Sequence, residues 1–282
     1  MSQSLAADRI ATLAQAACLI EVSARKPGNV SPGRDFEDTT YEDFLLSAAA
    51  IGPAFRRVAE AGVGETVRAA VQATRVRVHA NTNLGMVLLL APLACAAGRE
   101  SGPLRAALSR VLRGLSVDDA RAAYAAIRLA NPGGLGRAPA QDVCDEPTLS
   151  LREAMALAAE RDTIAREYVS DYDVTFRLAV PAIQQARSRG WSRTEAAAEA
   201  YLCVLAEVPD TLIARKEGAA RARAVSERAR EVLSAGAAGS AERARAEKAF
   251  DGELRERGHR LNPGTSADLV AAALFVCLLE EH

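Results

Sequence analysis

Polar clusters interrupt the apolar segments of this chain at four places, and each contains groups suited to phosphate or sugar chemistry. The first cluster runs from Glu21 to Asn29 and places Lys26 beside a Pro-Gly turn. A lysine in that position can present its ammonium next to exposed backbone N–H groups, which suits an oligophosphate. An ordinary helix-ending turn with a solvated charge explains the same residues, so the cluster alone leaves both interpretations open.

The second cluster, Asn81 to Gly85, directly precedes a long apolar segment. The free N–H groups at the start of a buried helix, together with the positive end of the helix dipole, form a natural anion site. Asparagine and threonine side chains add further donors there. Simple N-capping accounts for the same residues equally well.

The third and fourth clusters lie in the C-terminal third of the chain. Asp210 lies roughly one helical turn before Arg215, so an acceptor and cations can share one helix end, although an exposed intrahelical ion pair is the commoner outcome. The fourth cluster, Asn262 to Asp268, is a Pro-Gly turn that leads into an apolar helix. The spacing of Thr265 and Asp268 predicts a capping box, which gives Asp268 a structural explanation.

Helices are the elements that must position these clusters. Apolar residues recur at three- and four-residue steps, alternating patterns are nearly absent, and aromatic residues make up only 4% of the chain. We therefore expect an all-α fold of roughly ten helices in a single domain covering residues 1–282. The irregular segment 131–147 is interpreted as either a functional loop or a linker. Capping boxes are predicted for Thr40 with Asp43, Ser116 with Asp119, Ser150 with Glu153, Ser192 with Glu195, and Thr265 with Asp268.

The composition narrows the classes of partner. With 35 basic and 36 acidic side chains the net charge is −1, so no overall field attracts nucleic acid or an anionic membrane. The five scattered cysteines contain no CxxC pair and there are three histidines, which indicates a reduced, cytoplasmic protein without a zinc site. No basic segment precedes an apolar core at the N-terminus, which argues against a signal peptide. The longest apolar run, Leu84 to Ala97, contains Pro92 and is shorter than the ~20 residues that a membrane span needs.

The order and the amino-acid sequences of the four clusters resemble the motifs of the triphosphoribosyl-dephospho-CoA synthase family of CitG/MdcB type. The resemblance spans nearly the whole chain, and its most specific part, Pro263 to Leu269, is similar to the family's SPGGSADLLA signature. It implies an all-α enzyme that joins ATP to 3′-dephospho-CoA through a ribose-to-ribose glycosidic bond and releases adenine. The other matching segments are Glu21-Val22-Ser23 with Lys26-Pro27-Gly28, Asn81-Thr82 with Gly85, and Asp210-Thr211 with Arg215.

The resemblance also implies roles for individual residues. Such a reaction needs carboxylates near the ribose, a base for the attacking 2′-hydroxyl, and Mg²⁺ with cationic and backbone donors for the triphosphate of ATP. The expected nucleotide-binding residues are Lys26, Gly28, Asn29, Asn81, Thr82, Gly85, Arg215, Gly264 and Ser266. The expected catalytic residues are Glu21, Asp210 and Asp268, and the expected metal ligands are Glu21, Asp35, Asp210 and Asp268. Asp171 and Asp173 resemble a further family motif, although an N-cap explains them nearly as well.

Departures from the family pattern bear on the acceptor. Where citrate- and malonate-type members read NTHKG, this chain has Asn83 and Leu84, which removes an imidazole and an ammonium. Arg25, Arg34 or Lys216 could compensate for the lost cation. Three interpretations therefore stay open: the family activity with dephospho-CoA, a nucleotide-dependent transferase with a different acceptor in one-carbon (pterin- or furan-type) cofactor biosynthesis, and a non-enzymatic helical binding protein. The oligomeric state is also open, a homo-oligomer included.

Overall fold

Helices make up all the regular secondary structure in residues 6–256 and 258–281, the part of the chain that the computed structural model describes. Within those ranges there is one isolated β-bridge, between Ser31 and Arg34, and no β-strand, so the all-α expectation is confirmed. The first five residues, which belong to the segment considered for a signal peptide, lie outside the described residues, as do Arg257 and His282.

The described residues contain sixteen α-helical segments and one π-helical segment. In chain order they are α1 Ala7–Ser23, α2 Tyr41–Ala50, α3 Gly52–Arg56, α4 Val58–Ala61, α5 Val63–Arg75, α6 Leu84–Arg99, α7 Leu104–Arg113, α8 Val117–Ala130, α9 Leu151–Ala158, α10 Thr163–Ser170, the π-helix Thr175–Ala179, α11 Val180–Ser188, α12 Arg193–Glu207, α13 Thr211–Glu217, α14 Ala219–Ser234, α15 Ala241–Arg255 and α16 Gly264–Glu280.

The expected number of helices, roughly ten, is too low because several expected helices are broken into shorter ones. The residues that follow the predicted capping box at Thr40 are divided among α2, α3 and α4, with breaks after Ala50 and Arg56. Pro53 has no N–H group to donate to the carbonyl of Ala49, and the side-chain amide of Gln15 donates to that carbonyl instead, at 2.9 Å. A tertiary contact therefore stabilises a break that the local pattern does not reveal.

Four of the five predicted capping boxes are present, and the fifth is not. The boxes that begin at Thr40, Ser116, Ser150 and Ser192 all form. Helix α16, however, has Pro263 as its N-cap and no side-chain cap, so the predicted box of Thr265 with Asp268 is wrong. The carboxylate of Asp268 is therefore not used for capping.

A proline inside α6 ties this helix to α10 and the turn after it. Pro92 cannot donate to the carbonyl of Leu88, and the hydroxyl of Tyr168 donates to that oxygen at 2.6 Å. The hydroxyl of Tyr172 donates to the neighbouring carbonyl of Leu89 at 2.9 Å. Both tyrosine rings are fully buried, and burial raises the pKa of Tyr172 well above its ordinary value, so its hydroxyl stays a donor.

The C-terminal helix α16 is buried along most of its length and packs against α1, α6 and α12. This central position brings the start of α16 close to the starts of α6, α10 and α13. Among the described residues, no single helix has the length and apolar character to cross a membrane. The pair α6 and α7 passes that test jointly, with a bend of 109° between the two helices.

Candidate active site

A cavity of about 1050 Å³ opens where the N-terminal ends of α6, α10, α13 and α16 meet. The start of each helix carries the positive end of the helix dipole, so convergence of these helices favours a negatively charged ligand. The charged side chains that line it are the cations Arg75, Arg128, Arg161, Arg215 and Lys216 and the carboxylates Asp38, Asp142, Asp162 and Asp268.

Asp268 lies directly against the first turn of α6. A Cβ atom added to Gly85 would overlap the carboxylate oxygen Oδ2 of Asp268 and would approach Ile164 Cδ1 to 2.7 Å. Glycine at this position therefore lets the carboxylate approach the start of a helix, where a negative charge is stabilised. The expectation that Gly85 and Asp268 belong to one site agrees with this geometry.

The carboxylate of Asp268 carries no hydrogen bond or ion pair to any other described residue, although it is closely surrounded by protein and only partly exposed to the cavity. Burial raises the pKa of Asp268 well above its ordinary value, and the charges of Glu21 and Asp210 add to the effect, while Arg215 opposes it. An enclosed carboxyl without donors is stabilised by a proton or by a cation that a ligand brings. Asp268 is thus equipped to accept a proton.

Replacement of Gly85 by alanine should displace Asp268. The new methyl group and the carboxylate cannot occupy the same space, and we expect a loss of about 1–3 kcal/mol in the free energy of unfolding together with weaker nucleotide binding. Thermal unfolding and ATP titration measure the two effects. Gly252→Ala is the matched control, because nothing lies within 4 Å of an added Cβ in this exposed helical position. A Gly85→Ala variant that matched the control in both measurements would contradict the packing described here.

Asp162 and Arg215 form an ion pair on the cavity wall. The guanidinium Nη1 of Arg215 lies 2.7 Å from Oδ2 of Asp162, whose Oδ1 caps the start of α10 by accepting from the Ile164 N–H at 2.9 Å. The Nε of Arg215 is buried without a hydrogen-bond partner. Arg215 is among the residues expected from the sequence, and Asp162 is not. The only sequence signal for Asp162 is its N-cap position, which gives no indication that it faces a cavity.

Glu21 and Lys26 form a buried pair that does not line the cavity. The Lys26 Nζ lies 3.0 Å from the Glu21 carboxylate and donates to the carbonyl oxygens of Glu21 and Ala24. Burial raises the pKa of Glu21 and lowers that of Lys26, and each charge opposes the shift of the other. Because the ammonium is fully enclosed and already has three oxygen partners, the structure contradicts its expected direct contact with phosphate. It also contradicts direct catalysis or metal binding by Glu21.

Asp210 is a structural clamp between α13 and α16. Its Oδ1 accepts from the N–H groups of Leu212 and Ile213 at 2.9 and 3.1 Å, and its Oδ2 accepts from the N–H and hydroxyl of Ser266 at 2.8 and 2.9 Å. Burial raises the pKa of Asp210, and these hydrogen bonds oppose the rise. Asp210 and Ser266 therefore hold two helix starts together and leave Asp210 no position for a metal or a substrate proton. This corrects the catalytic and metal-binding roles expected for Asp210 and the nucleotide contact expected for Ser266.

Several other expected residues do line the cavity. Gly264 borders it, with no room for a side chain because an added Cβ would lie 2.7 Å from Leu212. Asn29, Asn81 and Thr82 also line it, and the Thr82 hydroxyl is 2.5 Å from that of Ser47. These three residues can offer polar groups to a ligand from the side of α6.

Gly28, Asp35, Asp171 and Asp173 lie away from the cavity lining. Gly28 has a φ of 72°, and its N–H donates to Asp251 at 2.8 Å, so it shapes a turn. Asp35 is exposed and accepts from the Tyr41 N–H at 2.7 Å, which does not fit the expected metal ligand. Asp171 ends α10 as its left-handed C-cap and is not an N-cap, and Asp173 pairs with Arg105 at 3.3 Å.

The departures at Asn83 and Leu84 are accommodated by packing. Asn83 is the N-cap residue of α6, its side-chain amide donates to the hydroxyl of Thr74 at 3.0 Å, and Leu84 is buried. Of the three cations considered as compensation, only Lys216 lines the cavity, because Arg25 lies outside it and Arg34 pairs with Asp251. Burial lowers the pKa of Lys216.

Residues 131–147 form one wall of the cavity. Gly134 lies beside Arg215, and Gly133 lies beside Lys216, with an added Cβ at 3.4 and 3.7 Å from their side chains. Within the segment, Asp142 accepts from the N–H groups of Ala138 and Cys144 at 2.5 and 2.9 Å, and these hydrogen bonds lower its pKa. The segment therefore packs along the cavity, and its interpretation as a functional loop stays a prediction.

No group of three or more histidine, cysteine, aspartate or glutamate side chains in the described part of the chain could hold a metal ion unaided. Mg²⁺ commonly binds with a nucleotide, using one or two protein carboxylates, the phosphates and water. Asp268 fits that arrangement as a cavity carboxylate without a protein partner, whereas both oxygens of Asp162 already accept from the start of α10 and from Arg215. Of the four metal ligands expected from the sequence, only Asp268 lines the cavity.

Comparison with known proteins identifies the family. The family model described as "CitG: ATP:dephospho-CoA triphosphoribosyl transferase" matches residues 7–282. The chain belongs to this family. It is therefore a member of a transferase family, the triphosphoribosyl-dephospho-CoA synthases, and the resemblance seen in the sequence is confirmed.

Individual relatives of this CitG-family chain agree. It is 27% identical over 289 residues to "Probable 2-(5''-triphosphoribosyl)-3'-dephosphocoenzyme-A synthase" of Stutzerimonas stutzeri, covering 96% of this chain and 91% of that protein. It is 34% identical over 100 residues to the synthase of that name from Klebsiella pneumoniae, but this match covers only 36% of the chain and 35% of the Klebsiella protein. A crystal structure from Archaeoglobus fulgidus, of a candidate triphosphoribosyl-dephospho-CoA synthase, matches with a TM-score of 0.65 and 28% identity, covering 84% of this chain and 98% of that one. None of these matches favours a different acceptor or a non-enzymatic role.

Proposed function

We propose that this chain transfers the triphosphoribosyl group of ATP to the 2′-hydroxyl of 3′-dephospho-CoA and releases adenine. The observation that carries the proposal is Asp268, a carboxylate without a protein partner, in a cavity bounded by four helix N-termini and by the side chains of Arg215 and Lys216. Helix starts and cations suit a triphosphate, and an unpaired carboxylate suits a sugar reaction centre. Few other ligands need an anion site of helix starts and cations directly beside an unpaired carboxylate.

The triphosphate binds at the helix N-termini in this proposal. Arg215 offers bidentate guanidinium donors, including an Nε that has no partner in the protein, and Lys216 offers a point charge beside it. The backbone N–H groups at the start of α6 add donors of fixed direction. Asn81 and Thr82 contribute polar contacts from the start of α6.

Asp268 acts as the base in this proposal. As the bond between adenine and ribose breaks, positive charge develops on the ribose, and the carboxylate of Asp268 stabilises that charge and takes the proton of the attacking hydroxyl. Asp162 orients Arg215 through their ion pair, and Mg²⁺ bound with the phosphates would supply positive charge that neutralises the triphosphate. In this proposal Glu21, Lys26 and Asp210 stabilise the helix ends around the site and do not touch the substrate.

Adenine release is the direct test. Purified protein incubated with ATP, Mg²⁺ and dephospho-CoA should produce free adenine and a triphosphoribosylated product, both measurable by chromatography and mass spectrometry. Omitting dephospho-CoA should stop adenine release, because its hydroxyl is the attacking group. If the protein bound ATP without ever forming adenine in the presence of dephospho-CoA, the proposal would be refuted.

A further inference from the structure

A second set of side chains borders the same cavity and has no role in the mechanism above. Phe36, Asp38 and His259 all line the cavity. The rings of Phe36 and His259 meet edge to face, with centroids 5.8 Å apart and an angle of 64° between the planes. The Nδ1 of His259 lies 3.5 Å from the carboxylate Oδ1 of Asp38. The imidazole of His259 therefore lies between an aromatic ring and a carboxylate.

Contacts from two other elements hold this set in place. The guanidinium of Arg255 lies 5.0 Å from the centroid of the Phe36 ring and donates to the backbone carbonyls of Asn29 and Asp35, which joins the loop before α2 to the end of α15. Lys216 donates to the backbone carbonyl of His259 at 3.4 Å. The cation that binds phosphate in the proposed function thus lies beside the backbone of the residue that carries the imidazole.

Loss of adenine requires a proton as well as a base for the acceptor. When the bond between the ribose and the base breaks, its electron pair moves onto the base, and protonation of a ring nitrogen makes the base a better leaving group. Asp268 cannot serve both purposes in one step, because it must be ionised to accept the proton of the hydroxyl. Histidine is the side chain that most often donates a proton near neutral pH.

We propose that His259, oriented by Asp38, is the general acid that protonates the departing adenine while Phe36 packs against the base. This inference rests on the proposed function. The bond between ribose C1′ and the base nitrogen breaks, and its electrons pass to the base, which takes the proton from Nε2 of His259. The bond between C1′ and the acceptor 2′-oxygen forms, and the hydroxyl proton passes to Asp268. The imidazole ends neutral and Asp268 ends protonated, so protons and charges balance.

The carboxylate distinguishes His259 from the other cavity histidine. His79 also lines the cavity, but its ring pairs with no carboxylate in the described part of the chain. A carboxylate that faces Nδ1 of an imidazole orients the ring. The distance of 3.5 Å is long for a hydrogen bond, as is common for catalytic pairs before a ligand binds.

A leaving-group comparison tests the proposal. His259→Gln should lower adenine release from ATP by about 10²–10³-fold, the usual contribution of a general acid. The base of 7-methyl-ATP already carries a positive charge and needs no proton, so its release, corrected for the non-enzymatic rate, should change by no more than about threefold. Asp38→Asn should show the same discrimination with a smaller loss, because Asp38 acts through His259.

Each outcome of the comparison between ATP and 7-methyl-ATP either supports or overturns the role proposed for His259. Equal losses with both nucleotides would mean that His259 only supports the structure, and unchanged ATP turnover would mean that it has no role; either overturns the inference. A His79→Gln variant that showed the discrimination in place of His259→Gln would also overturn it. Failure of the wild-type protein to release adenine from ATP would refute the proposed function itself, which is a separate outcome because it appears before any variant is made.

Discussion

Asp268→Asn is expected to abolish turnover and at the same time make the ligand-free protein more stable at neutral pH. The amide cannot accept the hydroxyl proton, and loss of a catalytic base typically costs about 10²–10⁴-fold in rate. The same change removes an enclosed carboxylate that has no partner in the protein and whose pKa burial raises well above its ordinary value. Removing such a group commonly stabilises a protein by about 1 kcal/mol, or about 2–4 °C in Tm.

The sign of the predicted change in stability of the Asp268→Asn variant follows from the pH dependence of stability. Because the pKa of Asp268 is higher in the folded than in the unfolded protein, its contribution to stability is fully present below the unfolded value of about 4 and is lost as the pH rises through the folded value. The two proteins should therefore unfold at similar temperatures near pH 4, and the variant should gain as the pH rises to neutrality. Thermal unfolding between pH 4 and pH 8 measures this difference.

Glu37→Gln is the control for the Asp268 variant, since Glu37 is exposed and outside the cavity lining. It should leave turnover and the pH dependence of Tm close to those of the wild type. Retained turnover in Asp268→Asn would show that Asp268 is not the base. A variant less stable than the wild type at neutral pH would show that the carboxylate does not lie in an unfavourable environment.

Lys26→Ala is expected to act on the fold and only indirectly on the ligand. It leaves the Glu21 carboxylate buried without its partner at 3.0 Å, and breaking a buried ion pair from one side costs about 3–5 kcal/mol. A lysine in direct contact with phosphate would behave differently, because its loss would spare the fold and weaken ATP binding by about 1.5–3 kcal/mol. Urea unfolding and ATP titration of the folded fraction separate the two cases.

The double variant Lys26→Met with Glu21→Gln completes that comparison. Both charges are then replaced by groups of similar size, and replacing a buried pair as a unit is often close to neutral. We expect the double variant to recover most of the stability lost in Lys26→Ala. A stable Lys26→Ala protein with reduced ATP affinity would restore Lys26 to the list of phosphate ligands.

The sequence predicts the helical class and the local ends of helices well, because these depend on neighbouring residues. The capping boxes at Thr40 and Ser116 are examples, since both partners lie within four positions. The helix break at Pro53 was missed, because its stabilising partner, Gln15, is far away in the chain. Local patterns predict where a helix can begin, but not which breaks the rest of the fold stabilises.

The site was predicted in part for a similar reason. Asp268, Gly85 and Arg215, which belong to the family motifs, line one cavity. The motifs could not distinguish these residues from Lys26 and Asp210. The sequence of a motif does not show whether a charged side chain faces a ligand or the protein interior. Other cavity residues, such as Asp162 and His259, belong to none of the four clusters, so only the three-dimensional arrangement reveals them.

The hydroxyl contacts from Tyr168 and Tyr172 to α6 have a consequence for how such proteins change over evolution. They fasten the helix that carries Asp162 at its start to the helix that carries Gly85, and the clamp formed by Asp210 fastens two more. The anion-facing half of the cavity is therefore a rigid scaffold, whereas residues 131–147 contribute a wall of irregular chain. Substitutions and insertions in the part of that wall away from Arg215 and Lys216 can remodel the space for an acceptor without disturbing the helix ends.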